Sequence, residues 1–211
     1  MGLEKYIDHT LLRADATIDD IFLLCQEAKE YQFMSVCVNP CYVPFAKSYL
    51  ENSGVKVCTV IGFPLGNNLI RTKIDEINQA INMGADEVDM VMNIGMFKAH
   101  QFDYIKEELL LAREASRGHV LKIIIETCLL DDEEKRIAAS MVKDSGADFV
   151  KTSTGFSKGG ATIEDVKLLR EVVGAEMGVK ASGGIRTHED LINMIEAGAN
   201  RIGTSAGSKI I

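Results

Sequence analysis

Two lysines and one aspartate lie inside otherwise apolar stretches of the chain, where charged side chains are unusual. They are Asp89, Lys151 and Lys180. Burying an unpaired ammonium or carboxylate costs several kcal/mol, so each of them needs a partner or a chemical use. A single lysine could run outward between covering helices and keep its charged end in water. Two such lysines, each followed by small and polar residues, favour a functional interpretation.

These residue types fit covalent catalysis by an amine. A lysine attacks a carbonyl only as the neutral amine, so the pKa of a nucleophilic lysine has to fall from about 10.4 toward 7, which is worth roughly 4–5 kcal/mol. A neighbouring cation and removal from water both favour the neutral form. Asp89 would then move protons while the amine adds and water leaves. The residues alone do not decide which lysine attacks, and Asp89 could equally be the ion-pair partner of one of them.

Two glycine-rich segments, 182–187 and 203–207, are candidates for binding a phosphate group. Barrel enzymes commonly bind phosphate in the loops after strands seven and eight, through backbone N–H groups and the start of a short helix. Either segment alone could be a tight turn, but their joint position favours binding. The second segment also matches the GxSxG pattern of serine hydrolases. Because no acid and no histidine follow it, that class is excluded.

The elements that must position these residues alternate between short β-branched runs and longer amphipathic segments. This pattern is typical of a parallel sheet covered by helices. Eight is the number of strands that closes a (β/α)₈ TIM barrel with a filled interior, and its active site lies at the C-terminal ends of the strands. The predicted strands are Lys5–Asp8, Ser35–Val38, Lys56–Ile61, Glu87–Met92, Leu121–Glu126, Phe149–Thr152, Gly178–Ala181 and Arg201–Thr204.

Seven helices are predicted between these strands, at 19–31, 42–52, 69–83, 102–117, 132–145, 163–173 and 188–197. Several begin after capping residues such as Thr162 and Thr187, and several stop at a glycine. Only 206–211 remain for an eighth helix, so the last helix is predicted to be missing or truncated. No linker or repeat interrupts the pattern, and we expect residues 1–211 to form a single domain. An open doubly wound sheet is less favoured, because the GxGxxG fingerprint is absent.

Composition argues against several classes of protein. The net charge of −8 and the dispersed basic residues argue against a nucleic-acid partner. No apolar run approaches the roughly 18 residues of a membrane span, and the N-terminus lacks a signal peptide, so a cytoplasmic location without membrane contact is predicted. Five cysteines without a CxxC pair and four scattered histidines predict neither a disulfide framework nor a metal site. No cofactor is expected.

Four segments together resemble the signatures of the deoxyribose-phosphate aldolase family: 59–66, 86–91, 150–156 and 179–186. The resemblance extends over nearly the whole chain. It implies a class I aldolase that reversibly cleaves 2-deoxy-D-ribose 5-phosphate to acetaldehyde and D-glyceraldehyde 3-phosphate in deoxynucleoside catabolism. It also implies a homodimer or homotetramer.

By this resemblance, Lys151 is the Schiff-base lysine, Lys180 disfavours its protonated form, and Asp89 relays protons. The choice between the two lysines therefore rests on the resemblance. The family pattern assigns Asp8, Cys37 and Thr152 to the substrate pocket. It assigns Gly155 to the phosphate loops, together with Gly184 and Ser205 of the two glycine-rich segments. The complete predicted substrate-binding set is Asp8, Cys37, Thr152, Gly155, Ser182, Gly183, Gly184, Gly203, Ser205 and Ala206.

Two features depart from the family pattern. Longer members carry a lysine where this chain has Phe156, so phosphate binding is expected to depend on backbone groups or on Lys158. Some members also end in a tail with a tyrosine that assists proton transfer, whereas this sequence ends at Ile211. That role is then absent or falls to water and Asp89.

Two other kinds of protein fit the sequence less well. A transaldolase-like enzyme or a sugar-phosphate isomerase would share the phosphate loops, but an isomerase needs no Schiff base. A catalytically silent barrel that only binds a metabolite would not need Asp89, Lys151 and Lys180 all intact.

Overall fold

A computed structural model describes residues 2–211 of the chain. Its eight parallel strands pair in sequence order, and the last strand also pairs with the first, which closes the sheet into a barrel. The predicted (β/α)₈ TIM barrel is therefore confirmed. The strands are β1 Ile7–Leu11, β2 Ser35–Val38, β3 Lys56–Ile61, β4 Glu87–Val91, β5 Val120–Ile124, β6 Phe149–Lys151, β7 Gly178–Ser182 and β8 Arg201–Thr204.

Seven of the helices cover the barrel where the sequence predicts them, with small differences at their ends. The α-helices of the described part are α1 Ile18–Tyr31, α2 Val43–Tyr49, α3 Ile70–Asn82, α4 Ile94–Lys98, α5 Phe102–Ala115, α6 Asp132–Asp144, α7 Ile163–Val173, α8 His188–Glu196 and α9 Gly207–Ile210. The predicted caps are confirmed, because Thr162 and Thr187 accept from the backbone N–H groups of Asp165 and Asp190. The short helix α9 confirms that the last helix is truncated, whereas α4 was not predicted.

The first predicted strand, Lys5–Asp8, is wrong in its bounds. Leu3–Tyr6 forms a 3₁₀ helix, and the strand begins only at Ile7. Pairing with β2 and β8 decides this register, since Asp8 lies opposite Ser35 on one side and Gly203 on the other. A short run with weak alternation cannot reveal such long-range partners. As a result, Asp8 lies inside the strand rather than at its end, and its side chain is fully buried.

Alternation along the strands separates an apolar outer face from a polar interior. Val88, Val150 and Val179 belong to the hydrophobic cluster between the strands and the helices. Their neighbours Asp89 and Lys151 contact each other inside the barrel. The main hydrophobic core therefore surrounds the barrel, and charged side chains lie inside it. None of the helices in 2–211 is long and apolar enough to cross a bilayer.

Candidate active site

A cavity of about 320 Å³ opens at the C-terminal ends of β1, β6, β7 and β8. Lys151 lies at its floor, and loops after these strands form its walls. Six of the ten predicted substrate-binding residues line it: Gly155, Ser182, Gly183, Gly184, Gly203 and Ser205. The cavity therefore combines a buried lysine with the loops that were predicted to bind phosphate.

The three predicted catalytic residues meet beneath this cavity. Lys151 and Lys180 lie opposite each other on β6 and β7. Both ammonium groups contact the same oxygen, Oδ2 of Asp89, at 2.7 Å from Lys151 and 2.8 Å from Lys180. Lys151 is 3 % exposed and Lys180 is fully buried, so neither runs outward to water. The predicted proximity of the two lysines is present, and Asp89 pairs with both of them.

Below the cavity, carboxylates and cations alternate in a closed ring of ion pairs. In order around the ring, its six members are Asp8, Lys180, Asp89, Lys122, Glu87 and Arg201. Each neighbouring pair has a nitrogen–oxygen distance between 2.5 and 3.0 Å. We call this arrangement the interior ring. Its three carboxylates balance its three cations, as buried charges require.

The cations hold the ring carboxylates in their ionised form. Burial raises the pKa of Asp89, but Lys122, Lys151 and Lys180 lower it more, so that it lies well below its usual range. Burial likewise opposes ionisation of Asp8, yet Arg201 and Lys180 bring its pKa below the ordinary value. Both carboxylates therefore remain charged at neutral pH.

The carboxylates in turn hold the ring cations in their protonated form. Burial lowers the pKa of Lys180, but Asp8 and Asp89 outweigh it and raise the pKa above the ordinary value. The pKa of Lys122 is raised well above its usual range in the same way, mainly by Asp89. Lys180 is thus a permanent cation next to Lys151, as the sequence argument requires.

Lys151 is a seventh charge that lies outside the ring. It contacts Asp89 and lines the cavity, whereas Lys122 and Lys180 each bridge two carboxylates within the ring. Protonated Lys151 adds one unbalanced positive charge to the interior, and neutral Lys151 leaves the interior balanced. Lys151 is therefore the one of these three lysines that both lines the cavity and lies outside the balanced ring.

The other predicted binding residues lie around the cavity rather than in its lining. Asp8 belongs to the interior ring, and Cys37 is buried beside Cys58. Thr152 joins the ends of β6 and β7, because its hydroxyl accepts from the backbone N–H of Ser182 at 3.2 Å. Ala206 immediately precedes α9. A direct role in substrate binding remains a prediction for all ten residues.

Gly183 and Gly184 shape the loop after β7. Their φ angles of +83° and +85° lie in the left-handed region that favours glycine. The backbone N–H of Ala161 donates to the carbonyl of Gly183 at 3.0 Å, so the loops after β6 and β7 are held together. A side chain at Gly160 would collide with that same carbonyl. This close packing places backbone groups at the cavity edge, where an anion can approach them.

Sequence reasoning missed three members of the interior ring. Lys122 lies within an apolar strand, which is the same signal that revealed Lys151, so it could have been found. Glu87 and Arg201 are the first residues of their strands, and the sequence alone does not distinguish such positions from surface ones.

Arg186 also lines the cavity, within the predicted loop 182–187. Lys158 is exposed and is not part of the lining.

One group of three potential metal ligands lies close together in the described part of the chain. The ligand atoms of Cys37, Cys58 and Asp89 are all within 4.8 Å of one another. However, Asp89 already accepts from Lys122, Lys151 and Lys180. Burial raises the pKa of the Cys58 thiol well above its usual range, which opposes the thiolate that a metal needs. We therefore assign no metal to this group.

Comparison with known proteins agrees with the geometry. The deoxyribose-phosphate aldolases of Caldanaerobacter subterraneus subsp. tengcongensis and Thermoanaerobacter sp. strain X514 are 57% and 58% identical to this chain over 214 residues. These alignments cover all of this chain and 93% and 96% of the relatives. A deoxyribose phosphate aldolase from Aeropyrum pernix, described as a unique tetrameric structure, superimposes with a TM-score of 0.90 at 36% identity, covering 99% of this chain and 88% of that one. The model of the DeoC/LacD family aldolases matches residues 3–210, and the chain belongs to this family.

Proposed function

We propose that this chain is a class I aldolase that reversibly cleaves 2-deoxy-D-ribose 5-phosphate to acetaldehyde and D-glyceraldehyde 3-phosphate, with Lys151 as the Schiff-base lysine. Family membership supports the aldol reaction, and the names of the relatives support the substrate. The position of Lys151 carries the assignment: it lines the cavity and lies outside the balanced interior ring.

The first half of the reaction forms the Schiff base. The neutral amine of Lys151 attacks C1 of the open-chain sugar and gives a carbinolamine, which loses water to become an iminium ion. Asp89 contacts Lys151 directly and is placed to take up and return the proton that moves in these steps. Lys180 contacts the same carboxylate oxygen and keeps it oriented toward Lys151.

The second half breaks and re-forms bonds at C2. Loss of the C3 hydroxyl proton lets the C2–C3 bond break, and its electron pair moves into the iminium group to form an enamine. D-glyceraldehyde 3-phosphate leaves as the first product. Protonation of the enamine at C2 and addition of water then release acetaldehyde and restore the amine of Lys151. Asp89 is the carboxylate that can serve these transfers, directly or through water.

The phosphate end of the substrate is expected at the glycine-rich wall of the cavity. Gly155, Gly184 and Ser205 line this wall together with Arg186. Backbone N–H groups there can donate to phosphate oxygens, and the guanidinium group adds a positive charge. This arrangement replaces the lysine that longer family members carry at the position of Phe156.

Replacing Arg186 by alanine is expected to raise KM for 2-deoxy-D-ribose 5-phosphate about tenfold, because one charge-assisted contact with the phosphate is lost. The matched substrate is 2-deoxy-D-ribose, for which kcat/KM should stay unchanged. The matched variant is Lys158→Ala, which removes an exposed cation that does not line the cavity. A larger rise in KM for Lys158→Ala than for Arg186→Ala would place the phosphate at the loop after β6 instead.

Trapping the covalent intermediate tests the proposed function most directly. Borohydride reduces the imine formed with acetaldehyde to a stable secondary amine, and peptide mass spectrometry locates the added ethyl group. We expect it on Lys151. A sugar-phosphate isomerase or a silent metabolite-binding barrel would give no adduct. A transaldolase-like enzyme would form a Schiff base with a ketose substrate rather than with acetaldehyde.

We further propose that residues 1–211 act as one domain, which pairing of β1 with β8 across the whole chain supports. A homodimer or homotetramer is the expected assembly, and the tetrameric relative from Aeropyrum pernix supports this range of states. Light scattering of the purified protein distinguishes the two. Location in the cytoplasm stays a prediction from the sequence.

A further inference from the structure

We infer that Glu87 and Arg201, at the end of the barrel interior away from the substrate cavity, are positioning residues that set the pH at which Lys151 becomes reactive. The inference rests on the proposed function, because it concerns Lys151 as the attacking amine. Neither residue lines the substrate cavity, and Glu87 instead lines a cavity of about 710 Å³ at the N-terminal ends of the strands.

Continuous contacts connect these two residues to the reactive end of the interior. Arg201 binds Glu87 with both terminal nitrogens, at 3.0 and 3.2 Å. From Glu87 the contacts pass through Lys122 to Oδ1 of Asp89, at 2.5 and 2.9 Å. The second connection runs from Arg201 through the carboxylate of Asp8 and the ammonium group of Lys180. Both connections end on Asp89, which contacts Lys151.

Every strand contributes a polar or titratable side chain to this interior. Besides the interior ring and Lys151, these are Ser35 and Cys37 on β2 and Cys58 on β3. The hydroxyl of Ser35 donates to Oδ1 of Asp8 at 2.6 Å. Burial raises the pKa of Cys58, so this thiol stays neutral. Hydrogen bonding from Cys58 lowers the pKa of Cys37. Outside the strands, Glu126 is nearly buried after β5, but its carboxylate binds the backbone N–H and the hydroxyl of Thr154.

The balance of charge in this interior decides how firmly Lys151 holds its proton. The interior ring contains as many carboxylates as cations, and burial keeps water from screening them. Removing a ring cation leaves one carboxylate in excess, and protonated Lys151 then restores neutrality. Removing a ring carboxylate leaves one cation in excess, and protonated Lys151 becomes less favourable. The two changes should therefore move the reactivity of Lys151 in opposite directions along the pH scale.

The test compares Glu87→Gln, Arg201→Met and the double variant by trapping the acetaldehyde adduct with cyanoborohydride across a pH series. The pH at half-maximal trapping should fall by about one unit in Glu87→Gln and rise by about one unit in Arg201→Met. The double variant removes one charge of each sign, so its midpoint should return to that of the parent protein. A residue that only stabilises the fold would reduce the yield of adduct without moving the midpoints in opposite directions.

A matched control is available on the surface. Arg136 and Glu171 form an exposed ion pair of 3.2 Å between α6 and α7. Arg136→Met and Glu171→Gln change the net charge by the same amounts, but water and salt screen the effect, so the trapping midpoint should not move. Equal shifts in these controls would mean that overall charge, and not the interior ring, sets the midpoint.

Two results would overturn the inference: midpoints of both single variants at the parental value, or midpoints that move in the same direction. If Arg201→Met does not fold, Glu87→Gln and the double variant still test the inference. The trapping midpoint must shift in Glu87→Gln and must stay at the parental value in the double variant. Mass spectrometry of each trapped protein distinguishes failure of this inference from failure of the proposed function. An ethyl group on Lys151 with an unshifted midpoint contradicts only the inference, whereas an ethyl group on another lysine contradicts the proposed function.

Discussion

Lys151→Ala is expected to lower kcat for cleavage of 2-deoxy-D-ribose 5-phosphate by at least about 10⁴-fold, because the attacking amine is gone. The barrel should stay folded. The interior ring keeps three carboxylates and three cations, and Asp89 keeps its contacts with Lys122 and Lys180. Steady-state kinetics and adduct trapping measure the loss of the nucleophile, and thermal unfolding measures whether the fold is kept. A variant with near-parental turnover would contradict the assignment of the nucleophile.

Lys122→Ala is the matched control for this variant. It also removes one lysine of the interior, but it leaves Glu87 and Asp89 each without one of their cations. Breaking a buried ion pair from one side typically destabilises a protein by about 3–5 kcal/mol. We therefore expect the free energy of unfolding to fall strongly in Lys122→Ala and little in Lys151→Ala. Equal losses would show that Lys151 is as much a structural partner of Asp89 as Lys122 is.

Lys180→Met is expected to reduce trapping of the acetaldehyde adduct at pH 7 by between ten- and a hundredfold. The neighbouring cation disappears, and Asp8 and Asp89 lose a shared partner, so Lys151 holds its proton more firmly. This range corresponds to about half of the roughly 4–5 kcal/mol that separates an ordinary lysine from one that is neutral near pH 7. Raising the pH removes that proton, and trapping should then recover.

Trapping is the quantity to follow in Lys180→Met, because turnover also includes the later proton transfers. Some loss of stability is expected, because the buried carboxylates of Asp8 and Asp89 lose the cation that they share. Circular dichroism at each pH verifies that the barrel remains folded. A trapping profile with the parental pH dependence would mean that the charge of Lys180 does not tune the reactivity of Lys151. In that case Lys180 would serve only to orient Asp89, and a loss of turnover at every pH would accompany the unchanged profile.

Arg201 and Asp8 illustrate why the interior ring could not be predicted. They are separated by 193 residues along the chain, yet Nη1 of Arg201 lies 2.6 Å from Oδ1 of Asp8. Lys180 and Asp89 are likewise separated by 91 residues. Local patterns report which face of a strand is apolar, but not which polar side chains of distant strands meet. The bounds of β1, and with them the place of Asp8, depended on the same long-range pairing.

The sequence by itself determined the barrel and indicated the catalytic candidates and the candidate phosphate loops, because hydrophobic periodicity and lysines within apolar runs are local properties of the chain. It also indicated the truncated last helix. Only the tertiary structure separated Lys151 from Lys180 on physical grounds. Closing the barrel brings strands from both ends of the chain together. Lys180 thereby becomes part of the balanced interior ring, whereas Lys151 lies outside that ring and lines the cavity.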